Sequence, residues 1–197
     1  MWWRCSTSIP ALFLVLIAAL VACGDDPAPT SGVFVGELRG GEVFAASIWQ
    51  SDRVLIYTCG RDASLSDSTS WLIAPPSEGT VESSEGVFSV VATRDGAQVM
   101  GSWMNGTVTE TLQLDEIDDA TQAGFFARIE GDCRTAAIAF ERAGSIAFQG
   151  AHFCDFAGPF FQVTPVLPPE ALGSTIRVSF DDGTGAQEVD LTRLEGI

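Results

Sequence analysis

The fold is decided by the stretch VFSVVATRDGAQVMGSWMNGTVTETLQL, residues 87–114. Its runs of β-branched and aromatic residues are typical of strands, and they are separated by RDGA (94–97) and MNGT (104–107). Asp-Gly and Asn-Gly accept the positive φ angles that tight hairpin turns require. The stretch therefore predicts a meander of antiparallel strands near residues 86–93, 97–104 and 107–114.

The strand pattern extends on both sides of this meander. STIRVSF (174–180) alternates cleanly, which places Ile176, Val178 and Phe180 on one face of a strand. Further strands are predicted near residues 42–49, 53–59, 125–130, 134–141, 145–153, 159–166 and 187–193. Only residues 115–122 and 168–172 could hold a short helix. Many short strands with turns between them are typical of an antiparallel barrel or sandwich, so the predicted fold class is all-β.

A weak internal sequence similarity, the internal echo, bears on the number of structural units in the β domain. Gly32-Val-Phe resembles Gly124-Phe-Phe, Ala45-Ala resembles Ala136-Ala, and Cys59 resembles Cys154. A spacing of about 90 residues would indicate a duplication. The β domain, residues 32–197, would then divide into related units at 32–120 and 124–197; a single undivided domain is the alternative.

Two pairs of adjacent phenylalanines, Phe125–Phe126 and Phe160–Phe161, indicate how the sheets are covered. Neighbouring strand residues point to opposite faces, so each pair puts an aromatic ring on both sides of a sheet. This favours a sheet that is packed on both faces. The alternative is an exposed aromatic face for a ligand or partner.

The N-terminal segment has the features of an export signal. Residues 9–22 are apolar except for Pro10, and Arg4 is the only charge before them. That length suits the core of a signal peptide and is short for a membrane span. Small Ala22 then directly precedes Cys23.

The sequence LVAC, residues 20–23, resembles the lipobox of bacterial lipoproteins. The resemblance implies that a signal peptide, residues 1–22, is removed and that Cys23 carries a diacylglyceryl group and an acylated amine. Residues 23–31 would form a flexible tether, because their prolines and aspartates keep it extended and solvated. Gly24 after the cysteine implies an outer-membrane destination in the bacterial envelope rather than the inner membrane. An ordinary secretory signal or a short membrane anchor is the alternative.

The composition is strongly acidic, with 26 Asp and Glu against 10 Lys and Arg and a net charge of −16. Such a surface repels nucleic acid, which excludes it as a partner. The clusters DEIDD (115–119) and DDGTGAQEVD (181–190) are the best candidates for a calcium site. Neither has EF-hand spacing, and we interpret both as solvated loops.

Three cysteines remain in the predicted mature chain after Cys23: Cys59, Cys133 and Cys154. An exported protein meets oxidising conditions, so one disulfide is expected. We predict Cys133–Cys154, since the two residues flank a predicted pair of antiparallel strands, and a buried thiol at Cys59. The alternative is a zinc site in which His152 and Cys154 join Cys133 or Cys59, although zinc ligands more often occur in closer pairs.

No catalytic motif stands out in the sequence. The chain lacks lysine, has one histidine and contains no nucleophile elbow, zinc-protease helix or phosphate-binding loop. We therefore predict a non-catalytic β domain with a binding or structural role, no cofactor and no metal. The alternatives are a β-barrel carrier whose Phe and Trp residues line a cavity for a small apolar ligand, and an envelope hydrolase using His152 or paired carboxylates.

Overall fold

A computed structural model describes residues 31–106, 108–118, 123–155, 158–166 and 173–195. The signal peptide, Cys23 and residues 24–30 of the tether lie outside these residues, so their predictions stay predictions. The described chain forms two nearly closed antiparallel sheets with little helix, which confirms the all-β prediction.

The first sheet contains eight strands in the order β4-β3-β2-β1-β8-β7-β6-β5. The strands are β1 (Gly32–Leu38), β2 (Val43–Trp49), β3 (Val54–Gly60), β4 (Ser70–Ala74), β5 (Thr80–Glu85), β6 (Phe88–Asp95), β7 (Gln98–Asn105) and β8 (Val108–Glu116). The predicted meander is β6 to β8, and Gly96 and Gly106 take positive φ angles of 58° and 56° in its turns.

The second sheet contains seven strands in the order β12-β11-β10-β9-β15-β14-β13. The strands are β9 (Gly124–Glu130), β10 (Cys133–Arg142), β11 (Ser145–Phe153), β12 (Phe161–Gln162), β13 (Thr164–Pro165), β14 (Thr175–Asp181) and β15 (Ala186–Arg193). In both sheets the first strand in sequence pairs with the second strand and also with the last.

The strands form four layers, and an apolar core lies between each pair of neighbouring layers. One core fills the interior of the first sheet, between β1–β4 and β5–β8, and includes Phe34 and Trp103. Another fills the interior of the second sheet and includes Phe126 and Val178. The third joins the two sheets, because β1–β4 pack against β9–β11 through residues such as Phe125.

The central strands are therefore covered on both faces, as the phenylalanine pairs predicted. Phe125 points into the shared core and Phe126 into the interior of the second sheet, and both are fully buried. Phe160 and Phe161 divide in the same way, although both keep partial exposure. All seven residues of β2 are buried, which explains why this strand lacks a polar face.

The structure differs from the sequence prediction in several elements. Strands β1, β4 and β5 were not predicted. The helix proposed at 115–122 is wrong at its start, because residues 115–116 end β8; residues 119–122 and 168–172 lie outside the described part of the chain. Helical turns occur instead at Asp62–Ser64 and in the short helix α1 (Leu65–Ser68).

The internal echo agrees with the topology at one pair of positions and is out of register at another. Gly32 and Gly124 both begin the first strand of a sheet. Ala45, however, faces the interior of its own sheet, whereas Ala136 faces the shared core. The alanine match therefore joins residues on opposite faces, and the division into two related units stays a prediction.

Candidate functional site

The predicted disulfide is present in the second sheet. Cys133 begins β10 and Cys154 directly follows β11, and their sulfur atoms lie 2.06 Å apart. The neighbouring residues Arg134 and Phe153 are partners in the antiparallel ladder, so the register brings the two cysteines opposite each other. The prediction from strand topology is confirmed.

His152 lies beside this disulfide, among polar and aromatic side chains. Its Nδ1 atom is 2.8 Å from the Thr135 hydroxyl, and its Nε2 atom is 3.6 Å from the Cys154 sulfur. Its ring stacks on Phe180 with 4.0 Å between centroids. Partial burial lowers the pKa of His152, and the nearby carboxylate of Asp182 opposes that shift. The surroundings therefore favour the neutral form of the ring, which lies against an aromatic face.

These groups line an open cleft of about 400 Å³, the disulfide cleft, which also includes Arg128, Glu130 and Asp182. The ligand atoms of Cys133, His152 and Cys154 lie within 4.8 Å of one another. The structure thus brings together the residues of the alternative zinc site, but both sulfurs are in the disulfide. A disulfide sulfur is not a thiolate and is a poor zinc ligand, so of these three residues only the imidazole can act as one, and one ligand does not hold a zinc ion.

Cys59 lies elsewhere, in the core between the two sheets. Its thiol is fully buried and unpaired, as predicted, and donates to the Gly60 carbonyl at 3.4 Å. Burial raises the pKa of Cys59 to about 11. A thiol that is neutral and inaccessible at physiological pH is a poor nucleophile and a poor metal ligand.

The acidic clusters are engaged with neighbouring side chains. Asp115 accepts a hydrogen bond from Gln98 at 2.8 Å, and Glu116 pairs with Arg94 at 3.3 Å. In the second cluster, Asp190 accepts two hydrogen bonds from Arg177. These contacts are typical of polar surface strands and turns, in agreement with the interpretation of both clusters as solvated.

The structure also contains an apolar groove that the sequence did not predict. The groove has a volume of about 420 Å³ and lies between the ends of the two sheets. Its lining residues are Ile48, Gln50, Arg53, Leu55, Trp71 and Ile73 from the first sheet, and Ile129, Ser174, Thr192, Arg193, Leu194 and Glu195 from the second. No local motif signals it, because it is assembled from short segments distant in sequence.

Two features make this groove unlike a packed interior. Ile73 and Ile129 are 54% and 62% exposed, although both are large and apolar. Trp71 is buried, and its indole N–H has no hydrogen-bond partner among the residues that the structure describes. Buried polar groups are usually satisfied, so an enclosed N–H without a partner is an unusual feature of the groove wall.

The groove lies next to the point where the chain enters the fold. Val33, the second residue of β1, pairs directly with the groove residue Ile48 on β2, and Gly32 pairs with Trp49. Paired antiparallel residues are about 5 Å apart between Cα atoms. The described chain therefore begins at the end of the first sheet that carries the groove.

A comparison with protein-family models, curated proteins and solved structures finds no match to this chain. Among the described residues, no helix has the length and apolar character needed to cross a bilayer.

Proposed function

We propose that this chain is a lipid-anchored protein of the bacterial cell envelope, held in the outer membrane by Cys23, whose β domain binds a partner or ligand and does not catalyse a reaction. The observation that carries the proposal is the open apolar groove beside the entry point of the tether. An anchor and a binding surface at the same end of a domain suit a protein that acts at a membrane.

The disulfide supports the proposed localisation in the cell envelope. Cross-strand disulfides persist in oxidising environments such as the periplasm and the cell surface. Cys154 is exposed, and a reducing cytoplasm would have access to it. The bond is therefore in agreement with export, which the lipobox resemblance also implies.

The geometry around His152 supports a binding or structural role. A general base must place a ring nitrogen against a nucleophile. The polar contacts described for the His152 ring nitrogens are with Thr135, which is 5% exposed, and with a sulfur already in a disulfide. In a hydrolase, a ring nitrogen of His152 would have to face an accessible nucleophile instead.

The structure offers the carrier alternative a ligand site between the two sheets, not inside a barrel. The interiors of both sheets are filled by side chains such as Trp103 and Phe126, which leaves little room for a ligand there. The groove between the sheets offers an apolar surface instead, with Trp71 as its aromatic residue.

The anchor is tested by replacing Cys23 with serine and following the protein in fractionated envelopes. We expect the variant to leave the membrane fraction, and we expect the N-terminal peptide of the wild type to carry the mass of a diacylglyceryl group and an acyl chain. Cys5→Ser is the matched control, because this cysteine is removed with the signal peptide. Membrane retention of Cys23→Ser would contradict the proposal.

A further inference from the structure

We propose that the apolar groove docks onto the lipid surface that holds Cys23 and accepts part of a phospholipid acyl chain. The inference rests on the proposed function, because the lipid surface is the one in which the Cys23 anchor would sit. It adds an orientation for the domain and a second membrane contact.

The apolar residues of the groove provide the first argument. Ile73 and Ile129 are more than half exposed, and Ile48, Leu55 and Leu194 continue the same surface inward. These residues form a small concave apolar surface, of the kind that lines ligand sites. Burial of apolar surface away from water is favourable, so contact with hydrocarbon would stabilise the docked orientation.

The groove also offers a cation to a phospholipid. Arg53 and Arg193 line it together with one carboxylate, Glu195; Arg193 already donates to the Asp118 and Ala123 carbonyls, which leaves Arg53 as the cation for a headgroup. Arg53 is exposed, and its Nε atom donates to Gln50 at 2.6 Å; its two terminal nitrogens can contact a lipid phosphate, since arginine forms charge-assisted hydrogen bonds with phosphate oxygens. The indole of Trp71 forms part of the groove wall, and tryptophan is enriched at membrane interfaces because its ring is amphipathic.

The tether makes the contact feasible. Ser31 lies eight positions after Cys23, and an extended chain spans at most about 28 Å over eight positions. The tether joins β1 beside Ile48, so the groove stays close to the bilayer while the acidic remainder of the domain can point away. A short linker also makes the second contact effectively intramolecular, so a weak interaction suffices.

The experiment uses the lipidated protein in vesicles of phosphatidylethanolamine with a minor fraction of phosphatidylglycerol. Bromine atoms on the acyl chains quench the emission of tryptophans that they contact. We expect brominated vesicles to quench the Trp71 contribution, and we expect this quenching to disappear in Trp71→Phe. Trp49 and Trp103 lie in the interior of the first sheet, away from the lipid.

Two double variants locate the contact. Ile73→Asp with Ile129→Asp is expected to abolish quenching, because charged groups then occupy the groove surface. Val91→Asp with Met100→Asp is the matched control; these residues are also exposed, 45% and 41%, but lie on β6 and β7. The control is expected to retain full quenching. Thermal unfolding of each variant verifies that the domain is folded.

Flotation of the vesicles separates failure of this inference from failure of the anchor. Protein that does not float with vesicles, and carries no lipid on Cys23, contradicts the proposed function and this inference together. Protein that floats without Trp71 quenching contradicts only the groove contact. Cross-linking between groove residues of two copies on the vesicle would also overturn the inference, by assigning the groove to a second chain.

Discussion

The two sheets share a topology but differ in how their edges are closed. In the first sheet the edge strands β4 and β5 have five and six residues and are joined by a loop. In the second, one segment, Phe161–Pro165, pairs with β11 through its first two residues and with β14 through its last two. The seven-stranded sheet is therefore closed by short strand pairings, and it is this sheet that carries the disulfide.

This difference shows two ways of stabilising similar architectures. The first sheet buries Trp103, Phe34 and Trp49 in its interior and needs no covalent link. The second has a smaller interior core, and small cores are often supplemented by disulfides. The shared core then couples the two sheets, so each contributes to the stability of the other.

The largest effect is expected at the shared core. Phe125 stacks on Tyr57 at 5.3 Å and contacts Trp71 at 5.7 Å between ring centroids, so it joins the two sheets. Phe125→Ala should lower the free energy of unfolding by about 3–5 kcal/mol, through lost burial and a cavity. Urea unfolding is the measurement, with tryptophan emission reporting the first sheet and amide exchange of β14 the second. An unchanged emission transition would show that the sheets are independent.

The next effect should be confined to the second sheet. Replacing Cys133 and Cys154 with alanine should cost about 2–4 kcal/mol, because the bond closes a loop of moderate length in the unfolded chain. Amide exchange should rise in β10 and β11 more than in β7, which serves as an internal control. An equal rise in both sheets would mean that the disulfide stabilises the whole domain and not its smaller half.

The two sheets were also unequally predictable from sequence. Hairpin turns and strand alternation are local, so the meander of β6 to β8 and the face shared by Ile176, Val178 and Phe180 could be predicted. The disulfide followed from the prediction that β10 and β11 are paired. Strand β5, with the sequence TVESSE, has too little apolar pattern to be recognised, because one face is solvated.

The groove could not be predicted, because it depends on packing between distant segments. Ile73 and Ile129 lie in different sheets and meet only when the shared core forms. The position of the tether beside the groove depends in turn on the pairing of Val33 with Ile48, and β1 itself was not predicted. Sequence patterns indicate which residues are apolar, whereas the tertiary arrangement determines which of them stay exposed.

A smaller effect is expected from the hydrogen bonds that cross between the sheets. The Tyr57 hydroxyl donates to the Ala136 carbonyl at 3.3 Å, and Gln149 Nε2 donates to the Cys59 carbonyl at 2.5 Å. Tyr57→Phe should cost about 0.5–1.5 kcal/mol, the net value of one buried hydrogen bond. Combining it with Gln149→Leu measures whether the two bonds act together. Purely additive losses, measured by urea unfolding, would contradict coupling across the shared core.

The smallest effect concerns the titration of His152, the single histidine of the chain. Burial holds its pKa below the ordinary value of 6.5, and Asp182 partly offsets that shift. The unfolded chain therefore binds a proton more readily than the folded one, so this group should reduce stability as pH falls below about 6.5. Asp182→Asn should lower the pKa of His152 further, and Asp190→Asn, with Asp190 paired to Arg177, is the control. An NMR titration of the imidazole gives both values, and a pKa at or above 6.5 in the wild type would contradict the prediction that burial outweighs the charge of Asp182.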